Sequence, residues 1–481
     1  MIDIVGEEFV SMEEEDIIPY MRDAYTILID RPIVPPDFVV LPKNVDEVQR
    51  IVKLANKYKI PIYPRSFGVN IASSALPYRG GIVIDLRRMD KIIEINEETM
   101  TATIEPGVTW GKLRKEARKK GLDIIPIAGP YSPSPVGNFL LTNITPYSTR
   151  YSADRVVSLE VVLPNGEILR TGSQCLVNGD KLNPYFRYAY GPDLTGLFRG
   201  SLGNFGIVTK LVIRLRPLAE VEENVYYKFD ELSVALKAMQ RIERLEITRY
   251  SIIGNKCLFL RQLLHPEKLR IREEVEKSLA RLPNFVLTIG LGGKAKQVAL
   301  YKEIVEEEVS KVGGEKMELS PDEKNIADEV SEGASQKSIR MFAPYGGFAA
   351  VIACIPPSSV LGVTKVVEEN IKKYDLRDPI LGEPLTPEII VIPYDRCSTV
   401  YLEQELLYDP TDIDAVEKVK KCLRDCYREI ATRYGGVHTI PNKTLFRLLL
   451  PSYVKVLTGI KRLLDPNGIM MPGGPYSIEE S

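Results

Sequence analysis

Gly191-Pro192-Asp193-Leu194-Thr195-Gly196-Leu197-Phe198-Arg199-Gly200-Ser201-Leu202-Gly203-Asn204-Phe205-Gly206-Ile207-Val208-Thr209 holds five glycines in nineteen residues and leads into an apolar strand over residues 206–215. Glycine at this density lets backbone turn tightly and approach another group with no Cβ in the way. The stretch is not a Walker A loop, because no Gly-Lys-Ser/Thr follows. Nor is it the dinucleotide fingerprint, which opens a helix, whereas a strand follows here. Its meaning depends on what surrounds it.

Two loops upstream share its character. Gly129-Pro130-Tyr131-Ser132-Pro133-Ser134-Pro135-Val136-Gly137-Asn138 carries three prolines that fix φ, and Gly137 permits close approach. A stiff loop of small residues suits a planar cofactor, and it equally suits an ordinary domain crossing. Residues 64–75 join a strand to a loop with Gly68, Asn70, Ala72, Ser73, Ser74 and Ala75. Consecutive free N–H groups there can form a nest for a diphosphate, although a tight surface loop reads the same way. Between the loops the chain alternates strand and helix. Phe38-Val39-Val40-Leu41-Pro42 and Ile60-Pro61-Ile62-Tyr63-Pro64 read as strands flanking a helix that Asn44 or Asp46 caps, with Val48, Ile51, Val52 and Leu54 at helical spacing. Ile82-Val83-Ile84-Asp85-Leu86 reads as a buried strand, residues 92–96 and 101–105 as a hairpin, and residues 110–120 as an amphipathic helix. Asn165-Gly166 supplies positive φ angles for a hairpin between residues 158–163 and 167–171.

Beyond about residue 220 the texture changes. Lys- and Glu-rich helices (267–282, 294–312, 363–374, 412–434) alternate with strands such as 284–289, 348–355 and 388–392. That pattern predicts an α+β unit with helices covering one face of a sheet. Residues 313–338 are polar and turn-rich and read as a surface excursion. The last stretch holds one amphipathic helix and the turn Asp465-Pro466-Asn467-Gly468.

Composition narrows the function classes. At 481 residues the chain exceeds one ordinary core, and 44% hydrophobic with 27% charged residues is globular. A net charge of -2 gives no basic footprint for nucleic acid; the basic run at 112–120 reads as the wet face of a helix. No apolar stretch reaches the roughly 18 residues of a membrane helix. The acidic N-terminus has no signal-peptide core, so the expected location is cytoplasmic, with docking onto a membrane complex left open. Six scattered cysteines, Cys175, Cys257, Cys354, Cys397, Cys422 and Cys426, form no ferredoxin run. Cys422 and Cys426 alone do not complete a metal site, so a reduced compartment, no metal and no iron–sulfur centre are expected.

Taken together, the three loops carry a resemblance. Residues 36–217 resemble the FAD-binding domain of the vanillyl-alcohol oxidase/p-cresol methylhydroxylase (PCMH-type) flavoprotein superfamily. The resemblance rests on Pro36-Asp37-Phe38-Val39-Val40-Leu41-Pro42, residues 64–70, Gly80-Gly81-Ile82-Val83-Ile84-Asp85-Leu86 with Met89, Glu105-Pro106-Gly107-Val108-Thr109, Val136-Gly137-Asn138, residues 159–166 and the whole 191–209 stretch, in order and spacing. Leu464-Asp465-Pro466-Asn467-Gly468-Ile469 is similar to the family's closing motif. About half the chain is covered. The resemblance implies an α+β fold in which a two-part PCMH-type FAD-binding domain (residues 1–220 and 440–481) receives an inserted α+β cap, or substrate, domain (221–439). It further implies that Pro64, Arg65, Ser66, Phe67, Gly68, Val69 and Asn70 form the diphosphate loop. Ser134, Val136, Gly137 and Asn138 are expected along the flavin and ribityl chain, and the backbone of Ile207 at the adenine. Residues 147–154 match a closing segment more loosely.

Departures from the family pattern shape the rest. Some relatives attach FAD through a first-loop histidine; this loop has none, so noncovalent FAD is expected. Phenol-oxidising members carry a first-loop Tyr where Ser73 or its neighbours stand and an acidic residue just before the second loop, where residues 127–130 stand, and both are missing. The 2-hydroxy-acid members carry a histidine-rich metal site, which two histidines do not supply. The closing Pro-Gly-Lys reads Pro472-Gly473-Gly474. His438, in Tyr434-Gly435-Gly436-Val437-His438-Thr439, falls where phenol-oxidising relatives bring an Arg to the flavin, with Val437 at their Tyr. As a catalytic residue it would take the alcohol proton or orient an anionic substrate; a structural histidine at a domain boundary is the alternative. His265 reads as a helix-start residue. Tyr394, Arg396 and Tyr401 are candidates for the substrate side. The implied activity is an FAD-dependent oxidoreductase that oxidises a small organic alcohol or hydroxy acid by hydride transfer to the flavin. Its electrons pass to a separate acceptor, for instance an iron–sulfur subunit, as in a dehydrogenase before an oxidase. An FAD-containing electron-transfer subunit and a non-redox flavoenzyme of the ether-lipid synthase type remain as alternatives.

Overall fold

The computed structural model describes the chain apart from residues 24, 25, 29–33, 70–74, 126, 128, 142–154, 179–183, 189, 266, 332–345, 437–445, 447, 475 and 478–481. Asn70, the 147–154 segment, Val437 and His438 lie outside the described residues.

The first sheet is built from β1 (Val10–Ser11), β2 (Phe38–Val40), β3 (Ile62–Arg65) and β4 (Ile82–Asp85), in the order β1-β2-β4-β3. β4 runs parallel to both β2 and β3 and is buried along its whole length. Parallel strands covered on both faces read as continuous apolar runs, which is what Ile82-Val83-Ile84 is. The Val45–Tyr58 helix makes the crossover. Asn44 caps it, accepting from the Glu47 N–H at 2.9 Å, while Glu47 accepts from the Lys43 N–H at 2.8 Å. Val48, Ile51, Val52 and Ala55 are buried on its inner face.

The second sheet contains β5 (Ile92–Asn96), β6 (Thr101–Ile104), β7 (Leu122–Ile124), β8 (Val156–Val162), β9 (Ile168–Arg170) and β10 (Ile207–Pro217). Its order is β5-β6-β10-β8-β9, with β7 on the far end of β10. β10, the strand that the glycine-rich stretch feeds, is its spine, pairing with β6, β7 and β8. The β8–β9 hairpin forms, but only Gly166 takes a positive φ (83°). Asn165 stays on the negative side, where its side chain accepts from the Glu167 N–H at 2.9 Å and closes the turn.

The third sheet is antiparallel throughout: β11 (Val221–Phe229), β12 (Tyr250–Asn255), β13 (Phe285–Gly293), β14 (Glu315–Lys316), β15 (Gly347–Ile355), β16 (Glu388–Tyr394) and β17 (Thr399–Tyr408). Their order is β14-β11-β13-β12-β16-β17-β15. Period-two alternation gives it two faces. One, with Ile253, Leu287, Val351, Val391 and Leu402, packs under the Leu232–Glu243, Ala295–Ser310, Val360–Lys373 and Ile413–Tyr434 helices. The other carries Ile252, Ala350, Ile352, Ile392 and Tyr401.

Two local expectations are corrected. Residues 313–338 are not all surface excursion: Pro321–Ser331 is a helix, started by reciprocal hydrogen bonds between Ser320 and Glu323. Its Ala327 is buried against Tyr226, Phe259 and Val286, and Asp328 accepts from the Tyr226 hydroxyl at 2.6 Å. The 267–282 helix breaks at Ile271 into a turn, Lys268–Arg270, and a helix, Arg272–Arg281.

After the third sheet the chain returns. The Pro451–Leu464 helix lays Leu457, Ile460 and Leu464 on the core of the second sheet, and Met470 bridges Ile62 of β3. No helix among the described residues is long and apolar enough to cross a membrane.

Candidate cofactor and substrate site

The end of β3 with the loop after it and the Pro135–Leu141 helix with the loop before it face one another across a solvent-open cleft. Pro64, Arg65, Ser66, Phe67, Gly68 and Val69 form one wall. Ser134, Val136, Gly137 and Asn138 form the other. Chain segments some seventy residues apart are thus brought to one place. Ile207 is not on the lining; it is buried in β10 opposite Val162, and its neighbour Val208 reaches the cleft instead. Leu86, Pro106, Leu202 and Gly203 also line it. Each sits in a stretch that carries the resemblance, which was the available signal, but the sequence assigned none of them a role.

The walls are close where they lack side chains. A Cβ on Gly137 would stand 3.0 Å from the Ser66 Oγ, so only glycine leaves the gap open there. Ser134 Oγ accepts from the Val136 N–H at 3.1 Å, and Asn138 Oδ1 accepts from the Trp110 indole N–H at 2.6 Å. That second bond orients the carboxamide so that its NH₂ end remains for the cleft.

Arg65 is the cation of the site. Its guanidinium lies 4.9 Å from the Tyr20 ring centre and donates from Nη2 to the Pro19 carbonyl at 3.2 Å. Tyr20 in turn donates to Asp85 at 2.7 Å, and Asp85 pairs with Arg87 at 2.6 Å. Burial pulls the Arg65 pKa down, with the Asp85 charge opposing. Its Nη1 is buried without a hydrogen-bond partner among the described residues. A desolvated donor on a cleft wall is costly until an acceptor reaches it, and a phosphate oxygen is a strong one. A diphosphate therefore fits this chain's own residues. Arg65→Met is expected to weaken FAD binding by about 10- to 100-fold, on the scale of a hydrogen bond to a charged group, about 1.5–3 kcal/mol. Fluorescence titration of the apoprotein checks this, and an unchanged dissociation constant would show that Arg65 does not reach the cofactor.

Above this region stands the second face of the third sheet. Arg155, just before β8, is buried, lies 4.9 Å over the Trp110 ring and feels the Tyr394 side chain; burial pushes its pKa down to about 10. Tyr394 and Tyr401 meet edge-on at 6.3 Å, both with pKa values raised by burial. Arg396 does not join them. It sits exposed in the β16–β17 turn and pairs with Glu246. His265 is exposed, 4.0 Å from Glu267.

A model of the FAD binding domain matches residues 36–172, and a model of the FAD linked oxidases, C-terminal domain, matches residues 218–474. The chain is 25% identical to the glycolate oxidase subunit GlcD of Bacillus subtilis over 92% of this chain and 89% of that one. It is 25% identical to the flavoprotein subunit of the hydroxylating 4-cresol dehydrogenase of Pseudomonas putida, over 98% and 93%. Its fold superposes on the crystal structure of p-cresol methylhydroxylase with substrate bound at a TM-score of 0.84, with 22% identity, covering 99% of this chain and 95% of that one.

Proposed function

The chain belongs to the FAD-linked oxidases, within the vanillyl-alcohol oxidase/p-cresol methylhydroxylase flavoproteins, and from that premise we propose that it oxidises a small alcohol or hydroxy acid and passes the electrons to a separate acceptor. FAD is its cofactor and it is an FAD-linked oxidoreductase. When bound, the flavin supplies a hydride acceptor. The protein's part is to hold and orient. Arg65 and the backbone of residues 66–69 take the diphosphate, the stiff wall from Ser134 to Asn138 follows the flavin and ribityl chain, and Trp110 sets the Asn138 amide. Asn70 belongs with the first wall and the Ile207 backbone with the adenine end. The observation that carries this reading is the meeting of the Arg65–Gly68 and Ser134–Asn138 walls in one cleft.

The cofactor is held noncovalently in this reading: the described lining includes no His, Cys or Tyr to which a flavin could be tied. Transfer to another subunit, as in a dehydrogenase, is favoured because two relatives are by name subunits of larger enzymes. An iron–sulfur protein would suit that role, in the cytoplasm. Acid precipitation of the purified yellow protein should leave the flavin in the supernatant. Anaerobic mixing with glycolate, lactates, longer 2-hydroxy acids and benzylic alcohols should bleach it, with slow reoxidation by dioxygen. If no member of the panel bleaches the flavin but an added iron–sulfur partner exchanges electrons with it, the chain is an electron-transfer subunit.

His438 retains two duties in this proposal, proton acceptor or anchor for an anionic substrate. His438→Ala is expected to cut flavin reduction by ~10²-fold at saturating substrate if it is the acceptor. If it is the anchor, the substrate concentration needed for saturation rises instead. Stopped-flow reduction separates the two, and no change in either would remove His438 from the site.

A further inference from the structure

Where the second sheet hands the chain to the third, arginines outnumber the acids they meet. Asp123 on β7 and Glu222 on β11 are the two carboxylates. Arg114 and Arg118 of the Trp110–Arg118 helix, Arg216 of β10 and Arg249 just before β12 all pair with one or both of them, at 2.8–4.0 Å. Among the described residues, four guanidinium groups thus share two carboxylates. The Arg216 and Arg249 side chains are 6% and 5% exposed. Positive charge held away from water without a full complement of anions is costly.

Arg249 carries spare donors. Its Nη2 pairs with Glu222 at 2.8 Å, while its Nε and Nη1 are buried without a hydrogen-bond partner among the described residues. Its stem lies against the bare backbone of Gly292 on β13, where a Cβ would stand 2.3 Å from the Arg249 Cδ. Arg216 and Arg249 both line a solvent-open pocket, bounded also by residues 217–220, which link β10 to β11, and by Gly292 and Gly293 at the end of β13. Lys294 and Gln297 complete the lining at the start of the Ala295–Ser310 helix, whose first turn carries no acidic residue. Gln297 Oε1 accepts from the Lys294 N–H at 2.9 Å, which leaves its NH₂ end to donate. The helix start adds a partial positive charge. Glu220 is the only acid among the described lining residues, and Lys294 pairs with it at 3.2 Å. None of these side chains borders the Arg65–Gly68 cleft.

We propose that this pocket binds a phosphate or sulfate group, free or as the charged end of a small metabolite. The oxyanion takes the spare Arg249 donors and Lys294 in charge-assisted hydrogen bonds, the strong kind. It supplies negative charge where Asp123 and Glu222 leave the arginines short. Arg216 belongs to the second sheet, and Arg249 and Lys294 to the third, so the bound anion also ties the two sheets together beside their covalent link.

Calorimetric titration of the holoenzyme in chloride buffer tests this, with sodium phosphate, sodium sulfate and glycerol 3-phosphate as separate probes. In the holoenzyme the cofactor cleft is filled and does not take up the probe. One anion per chain should bind saturably. Arg249→Met should weaken binding by about 10- to 100-fold, the scale of hydrogen bonds to a charged group. Lys294→Met removes a side chain that is 78% exposed, so the fold does not depend on it. It should weaken binding by about 2- to 5-fold, the scale of an exposed ion pair. Tighter binding of glycerol 3-phosphate than of inorganic phosphate identifies the ligand as a phosphorylated metabolite; equal binding identifies the free ion. Thermal unfolding gives a second readout: phosphate should raise the wild-type unfolding temperature to a plateau at low concentration. A rise that grows steadily with salt and is equal in wild type and Lys294→Met is the general effect of excluded salts and overturns the assignment. So does the absence of saturable binding for every probe, or saturable binding that neither substitution weakens.

Discussion

Gly68→Val is expected to purify without flavin. Gly68 sits on the first wall at a φ of +65°, a region that L residues with branched side chains avoid. Strain of this kind costs about 1–3 kcal/mol, which a chain of this size can absorb. The larger effect is local. A Cβ at this position would stand 2.2 Å from the Arg65 guanidinium, so the side chain cannot be added unless the arginine leaves. The substitution therefore removes both the nest and its cation, and affinity for FAD should fall by more than in Arg65→Met. Gly121→Ala is the control: its φ is +68°, but nothing lies within 4 Å of the added methyl. It should show the backbone strain as a small loss of thermal stability while the protein stays yellow. A yellow Gly68→Val protein with wild-type affinity would mean that this loop does not carry the diphosphate.

Lys461→Met should cost the protein roughly 3–5 kcal/mol, the range for breaking a buried ion pair from one side. The Lys461 side chain is 2% exposed, and burial pulls its pKa down. Its ammonium group donates to Asp465 at 2.6 Å, to the Asn204 carbonyl at 2.9 Å and to the Met470 carbonyl at 2.7 Å. One nitrogen thus ties the closing helix and the strand bridge to β3 to the glycine-rich stretch 257 residues away. Methionine fills a similar volume but strands a carboxylate that also organises the turn through the Ile469 and Met470 N–H groups. Because that turn holds Met470 against Ile62, and β3 carries the first cofactor wall, the variant should also release FAD more readily. Urea unfolding of the apoprotein isolates the stability term. A loss under 1 kcal/mol would show that water or a neighbouring donor replaces the ammonium.

What could be read from the sequence alone is local chemistry and the order of motifs. Asn44 before a 3–4 pattern of valines and isoleucines announces a capped helix, because the cap bond spans three residues and needs no other part of the chain. The glycine-rich stretch at 191–209 is legible for the same reason, whereas the loop read at 129–138 ends at Ser134, because Pro135 opens a helix through Leu141. Their order, matched to a family, is enough to point to Arg65, Gly68, Gly137 and Asn138, which the fold brings to one cleft. The Ser320–Glu323 capping box was equally present in the letters, but the polar surroundings of 313–338 hid the helix that buries Ala327. Tertiary structure alone decided the rest. Glu403 and Glu405 stand on one face of one strand, and they differ because Arg261, 144 residues away in sequence, hydrogen-bonds to Glu405 while Glu403 accepts from its strand neighbour Tyr401. Arg65, Arg155 and Lys461 look like any surface cation until burial strips their water. Arg396 looked like a substrate ligand until a turn pointed it at Glu246. Capping and turn geometry act over three or four residues and are written in the sequence, whereas desolvation and charge coupling act through space and appear only once the chain has folded.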